Sequence, residues 1–150
     1  MISIELARAL RTAGLRWHPA SGDGFVIETA GAGGEVYTVS EMTVEVHEHP
    51  GGSLIGFNGT TEWALDSVDL GDTLWLPRED QLRELLRDGF VSLVTERVEG
   101  DALYLVTAVV RGERRTYEAL SAADAYGEAV LDLIVRSLVA DDEAGPETSS

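Results

Sequence analysis

The chain reads as an α+β protein: a two-layer sandwich of antiparallel sheet and helices, ordered α, three to four strands, α, two to three strands, α. Three observations predict this. Helical periodicity occurs at three separated places, over 3–13, 77–88 and 121–138. Short alternating or apolar runs fill the intervals. Gly-rich turns punctuate them at Gly22-Asp23-Gly24, Gly31-Ala32-Gly33-Gly34, Gly100-Asp101 and Gly112. The 150 residues suit one α+β domain over 1–140, followed by a disordered acidic tail over 141–150.

Taken in order, Ser3 caps a first helix that Gly14 ends, with Leu6, Ala9, Leu10 and Ala13 on one face. Strands are expected over 15–17, 25–28, 35–39, 42–47 and 54–57, the last running into Asn58-Gly59, a type I′ hairpin signal. The stretch 61–70 fits strand or short helix, because Trp63 and Leu65 alternate while Thr60 or Thr61 could cap. Pro77 suits the first turn of a second helix, where Glu79 and Asp80 complement the dipole and Leu82, Leu85 and Leu86 form the stripe. Gly89 stops it. Strands follow over 90–98, 102–110 and 114–119, and 103–110 is apolar enough to be a central strand covered on both sides. Ser121 and Asp124 form a capping box for the last helix, with Tyr126, Ala129, Val130, Leu133, Ile134 and Leu138 on its apolar face. The two halves run parallel, each a helix, strands and Gly turns ending at Tyr37 and at Tyr117. An ancient duplication or the repetitiveness of helix-plus-hairpin units would each produce that pattern.

Charge narrows function further. All eleven cationic side chains are Arg, and none lies between Trp17 and Pro77, where ten carboxylates stand: Asp23, Glu28, Glu35, Glu41, Glu45, Glu48, Glu62, Asp66, Asp69 and Asp72. The formal net charge is -16. Such a field disfavours nucleic acid, anionic membrane and nucleotide phosphates, and favours a basic protein partner or a cation. The absence of Lys excludes a Schiff-base lysine and a Walker A loop, and the absence of Cys excludes disulfides and thiolate chemistry. No apolar run approaches a bilayer span, and residues 1–13, broken by Glu5, Arg8 and Arg11, do not form a secretory signal, so a cytoplasmic location is expected.

Two constellations could carry function. Glu45, His47 and His49 fall on alternate positions of a strand, where two imidazoles and a carboxylate could take Zn²⁺ or another divalent metal. An exposed polar strand face is the competing reading. Trp63, with Phe57, Glu62 and Asp66, follows a loop of small polar residues and would suit a basic, partly apolar partner segment, against a plain packing role. Gly51-Gly52-Ser53-Leu54-Ile55-Gly56 lacks the spacing of a nucleophile elbow, and 31–34 precedes a strand rather than a dinucleotide-binding helix. No catalytic set is recognised and no cofactor is implied beyond that metal. The expectation is therefore a non-enzymatic protein-binding module of adaptor or chaperone type. The alternatives are a metal-dependent enzyme or metal-binding protein at His47 and His49, and a homo-oligomer, such as a homodimer, whose helices over 122–138 pair across a two-fold.

The segments 1–17, Met42-Thr43-Val44-Glu45-Val46-His47, 55–66 (Ile55-Gly56-Phe57-Asn58-Gly59-Thr60-Thr61-Glu62-Trp63-Ala64-Leu65-Asp66) and Leu74-Trp75-Leu76-Pro77-Arg78-Glu79-Asp80-Gln81-Leu82 resemble an uncharacterised actinobacterial family of small acidic proteins. Some of its members carry a pilus-assembly label borrowed from an ATPase of the MinD type. This chain departs from that ATPase, having neither a Walker A glycine-lysine motif nor any Lys. The family resemblance implies no catalytic residues. In element order and charge the chain also looks like the small secretion chaperones, a likeness that implies binding of an extended protein segment, usually by a dimer.

Overall fold

The computed structural model describes residues 1–28, 36–39, 44–49, 52–57 and 67–144, of which 44–49, 52–57, 67–70 and 141–144 are described by backbone alone. Helix α1 (Ile4–Ala13) is followed by strands β1 (Gly24–Ile27), β2 (Val36–Thr38), β3 (Val44–His49), β4 (Gly52–Phe57), β5 (Ser67–Asp69) and β6 (Thr73–Leu76). Helix α2 (Glu79–Leu86), strands β7 (Phe90–Val98), β8 (Asp101–Val110) and β9 (Glu113–Ala119), and helix α3 (Ala122–Ala144) complete the chain. The class is α+β, as the periodicities indicate, but among the described residues six strands separate the first two helices instead of three or four. They form two antiparallel sheets, ordered β2-β1-β6 and β3-β4-β5; the third sheet is β7-β8-β9. Contacts divide the chain into two compact units, Met1–Leu15 with Arg78–Ser150, and Arg16–Pro77.

In the first unit, Ser3 accepts a hydrogen bond from the Leu6 amide at 3.3 Å, and Gly14 closes α1 in the left-handed region at φ 119°. A side-chain cap of this kind stabilises a helix by about 1 kcal/mol. The buried face is Leu6, Ala7 and Leu10, rotated from the expected one because Ile2 and Ala7, not Ala9 and Ala13, meet the core. The capping box at α3 is half formed. Ser121 Oγ accepts from the Asp124 amide, but the Asp124 carboxylate accepts from the Ser3 amide at 2.7 Å, tying α1 to α3. At that crossing a Cβ on Gly127 would stand 2.6 Å from Leu6 Cδ2, so the absence of a side chain lets the helices approach.

Helix α2 begins with Pro77 just outside it. Arg78 is the N-cap residue, and Gln81 Oε1 accepts from its amide at 2.9 Å. The helix ends at Leu86, and a 3₁₀ turn carries the chain through Gly89. Gly89 is required by proximity: a Cβ there would lie 2.6 Å from the Val109 carbonyl oxygen. The two hairpins of the β7-β8-β9 sheet turn at Glu99-Gly100 and Arg111-Gly112, one position earlier than expected in the first case. All four residues have positive φ, as type I′ turns demand.

Helix α3 packs on β8 and β9, and α1 and α2 pack on α3, so the helices lie on one face of this sheet. Val106, Ala108 and Val110 point into that layer and are buried, opposite Ala125, Tyr126, Ala129 and Val130 among the buried residues of α3. The other face is open. Val109 is 41% exposed, so β8 is central but covered on one side only, contrary to the reading of 103–110. Its high apolar content is a property of the open face itself. Helix α3 also continues to Ala144, past the expected tail boundary at 141, because no helix breaker precedes Gly145-Pro146.

In the unit Arg16–Pro77, β1 is central, pairing antiparallel with β2 (Phe25 opposite Tyr37) and β6 (Phe25 opposite Trp75). Phe25, Val26 and Ile27 are all buried, so β1 is covered on both faces. Trp17 and Tyr37 pack around Phe25 with ring centroids at 5.2 and 5.7 Å. Residues 15–17 are not a strand, since Trp17 is used to lid this aromatic cluster. That removes the counterpart of β7 and breaks the parallel between halves. The Asn58-Gly59 signal and 61–66 lie outside the described residues; within 61–70, 67–69 is strand and Leu70–Asp72 a 3₁₀ turn.

Candidate functional site

The cation-free stretch and the unit Arg16–Pro77 coincide: Arg16 opens it, and Arg78 is the next cationic residue. One Arg therefore faces ten carboxylates within this unit. They do not all belong to its surface. Asp23 is 2% exposed, and its Oδ2 accepts from Trp17 Nε1 at 2.9 Å and from the Ala20 amide at 3.0 Å. This carboxylate closes the turn into β1 and holds the indole over Phe25. It is a structural group, whereas Asp72 is exposed and Glu28 half-buried.

Of the expected metal residues, Glu45, His47 and His49 stand on alternate positions of β3, opposite Gly56, Leu54 and Gly52 of β4. Their side chains lie outside the described set. Two of the three cross-strand neighbours are glycines. Of the expected partner-binding residues, Phe57 ends β4 opposite Val44, while Glu62, Trp63 and Asp66 lie outside the described residues. Strand β4 is joined on its other side to β5, with Gly56 opposite Ser67, so Glu62, Trp63 and Asp66 belong to the connection between these two strands. The other two indoles have packing roles: Trp17 as above, and Trp75 partly buried on β6.

A polar cluster that sequence reasoning missed lies between β9 and α3. The Tyr117 hydroxyl donates to Asp132 Oδ2 at 2.6 Å, and Arg136 Nε donates to Oδ1 at 2.8 Å. Arg115 Nη2 donates to Glu113 at 2.6 Å on the same strand. Burial pushes the Tyr117 hydroxyl well up, and its hydrogen bond to Asp132 adds to that. Burial works against the Asp132 carboxylate, but the hydrogen bonds from Tyr117 and Arg136 and the nearby guanidinium charges outweigh it and hold it below its ordinary value. The Arg115 guanidinium is raised, first by its hydrogen bond to Glu113. At neutral pH, Tyr117 stays protonated and Asp132 ionised. Neither is poised to exchange a proton, so the group is a clasp between strand and helix. The available signal was Asp132 itself, an acid inside the apolar run 129–135 with Arg136 four residues on. An open hollow of about 260 Å³ beside it, lined by Val110, Arg111, Glu113, Arg136, Val139 and Ala140, falls below the usual size of ligand pockets.

Among the described residues, no helix is long and apolar enough to cross a membrane. Comparison of the chain with protein families, curated proteins and solved structures gives no match.

Proposed function

We propose that the chain is a non-enzymatic cytoplasmic protein-binding module, of adaptor or chaperone type, in which the unit Arg16–Pro77 offers its carboxylates to a basic partner segment. The observation that supports this reading is the coincidence of the cation-free stretch with one compact unit. Acids gathered in one folded unit reinforce one another's field within the ~8 Å over which physiological salt leaves charges unscreened. Phe57 and Trp63 would add apolar contact, with Glu62 and Asp66 as charged neighbours. Affinity built this way is salt-sensitive, because like charges on the unit are relieved by the partner's cations. A pull-down from native lysate at low ionic strength should return basic proteins that Glu62→Gln with Asp66→Asn captures less well. Recovery no better than a bait of equal net charge and unrelated fold would contradict the proposal.

A second reading is favoured by the register of β3 against β4, which sets glycines opposite Glu45 and His49. In it, Glu45, His47 and His49 hold a divalent metal such as Zn²⁺, and Glu48 or Glu45 acts as base. Calorimetric titration with Zn²⁺ would show uptake that His47→Ala with His49→Ala abolishes. Unchanged uptake in the double variant rejects it.

A further inference from the structure

The open face of the β7-β8-β9 sheet has an order that its role as backing for the helices does not require. Across its middle run Val94, Leu103, Leu105 and Val109, with Val94 48% and Val109 41% exposed. At the centre, one of the Thr107 and Thr116 hydroxyls donates to the other at 2.9 Å, so one donor is satisfied within the face itself. The charges are sorted by end. Glu118 stands opposite Leu105 and Glu96 opposite Leu103 at one end, and Arg114 stands opposite Val109 at the other, beside Arg111 in the turn. All four are exposed, and none has an ion-pair partner among the described residues.

Val109 and Arg114 lie two positions to one side of the Thr107–Thr116 pair; Leu105 and Glu118 lie two positions to the other. A two-fold axis crossing the strands at that pair carries each end onto its opposite. We propose that this face binds a second copy of the chain, sheet on sheet with strands antiparallel. Arg114 of each copy then meets Glu118 of the other, and Val109 meets Leu105, across the hydrogen-bonded threonines. Such an interface is isologous and self-complementary in both apolar area and charge. Three strands about 4.8 Å apart and seven residues of ~3.3 Å give a footprint of roughly 330 Å² per copy. The total of roughly 660 Å² lies below the ~1,200 Å² at which stable specific interfaces begin, so association is weak, reversible and concentration-dependent. This surface belongs to the first unit and is independent of the acidic partner site proposed above.

Sedimentation equilibrium on the full chain, from micromolar to millimolar, tests the proposal, with circular dichroism confirming that each variant is folded. The wild type should pass from monomer to dimer. Leu105→Asp should remove the dimer, and Arg114→Glu should weaken it roughly tenfold through like charges at both ends. Arg114→Glu combined with Glu118→Arg should restore wild-type association. A wild type that stays monomeric throughout overturns the proposal. So does a dimer indifferent to Leu105→Asp, or a double variant no tighter than Arg114→Glu alone.

Discussion

The two units of this chain solve the burial of charge in opposite ways. In Arg16–Pro77 there are ten carboxylates and one Arg, and the buried acid among the described residues, Asp23, accepts from an indole N–H and a backbone amide. In the remainder, seventeen carboxylates accompany ten Arg, and the corresponding acid, Asp132, sits between a Tyr hydroxyl and a guanidinium. One unit has a single Arg of its own for ten acids. The other uses its cations locally, as in Arg78–Asp80, Arg115–Glu113 and Arg136–Asp132. The comparison teaches that the acidity of Arg16–Pro77 is not a by-product of overall composition, because the same chain supplies partners for its acids elsewhere.

The largest expected effect concerns the aromatic centre beside Asp23. Phe25→Ala removes the ring that Trp17 and Tyr37 enclose and should cost about 3–5 kcal/mol by urea unfolding. Next comes the matched pair of carboxylates. Asp23→Ala takes from the Trp17 indole and the Ala20 amide the buried carboxylate that accepts from both, and should cost about 2–4 kcal/mol, with a shift in Trp emission. Asp132→Ala should cost only about 1 kcal/mol, because Tyr117 and Arg136 can turn to water. Equal losses would erase the contrast between the units. Gly89→Ala, which drives a methyl group against the Val109 carbonyl, should cost about 1–3 kcal/mol in the same assay. Ser3→Ala, removing the α1 cap, should cost about 1 kcal/mol.

The smallest effects are in pH dependence. The Asp132 carboxyl is held below its unfolded value, so its contribution is present above the unfolded pKa and is lost as pH falls through the folded one. The Tyr117 hydroxyl is raised, so its contribution is complete below the unfolded pKa near ~10 and is lost as pH rises past it. Stability profiles of Asp132→Asn and Tyr117→Phe should therefore be flatter than wild type, the first on its acid limb and the second on its alkaline limb. Parallel profiles would mean that the clasp contributes nothing.

Local signals were legible where one residue type answers one backbone need. Ser3 and Gly14 bounded α1, and 90–98 was read as the strand it is. What stayed hidden was set by distance along the chain. The Asp124 carboxylate looked committed to Ser121 but serves Ser3, 121 residues away. Gly89 looked like a helix stop, and its real constraint is Val109. The apolar run of β8 could not reveal that one of its faces stays open, because alternation is lost when both faces are apolar for different reasons. Residues 15–17 read as a strand because Leu15 and Trp17 alternate, yet Trp17 is spent on the lid over Phe25. Of the candidate site, the positions of Glu45, His47 and His49 on one strand were legible, while the internal role of Asp23 was not, since its type matches that of the other nine acids in its unit.

The central claim is that Arg16–Pro77 is the partner-selecting unit, and nuclear magnetic resonance on the isotope-labelled full chain tests it most directly. An Arg-rich peptide is titrated in at low and then at high ionic strength, and amide shifts are mapped along the sequence. Shifts concentrated within 16–77 that fade as salt is added are the predicted result. Shifts that fall mainly on 78–144, or that persist unchanged at high salt, would contradict it.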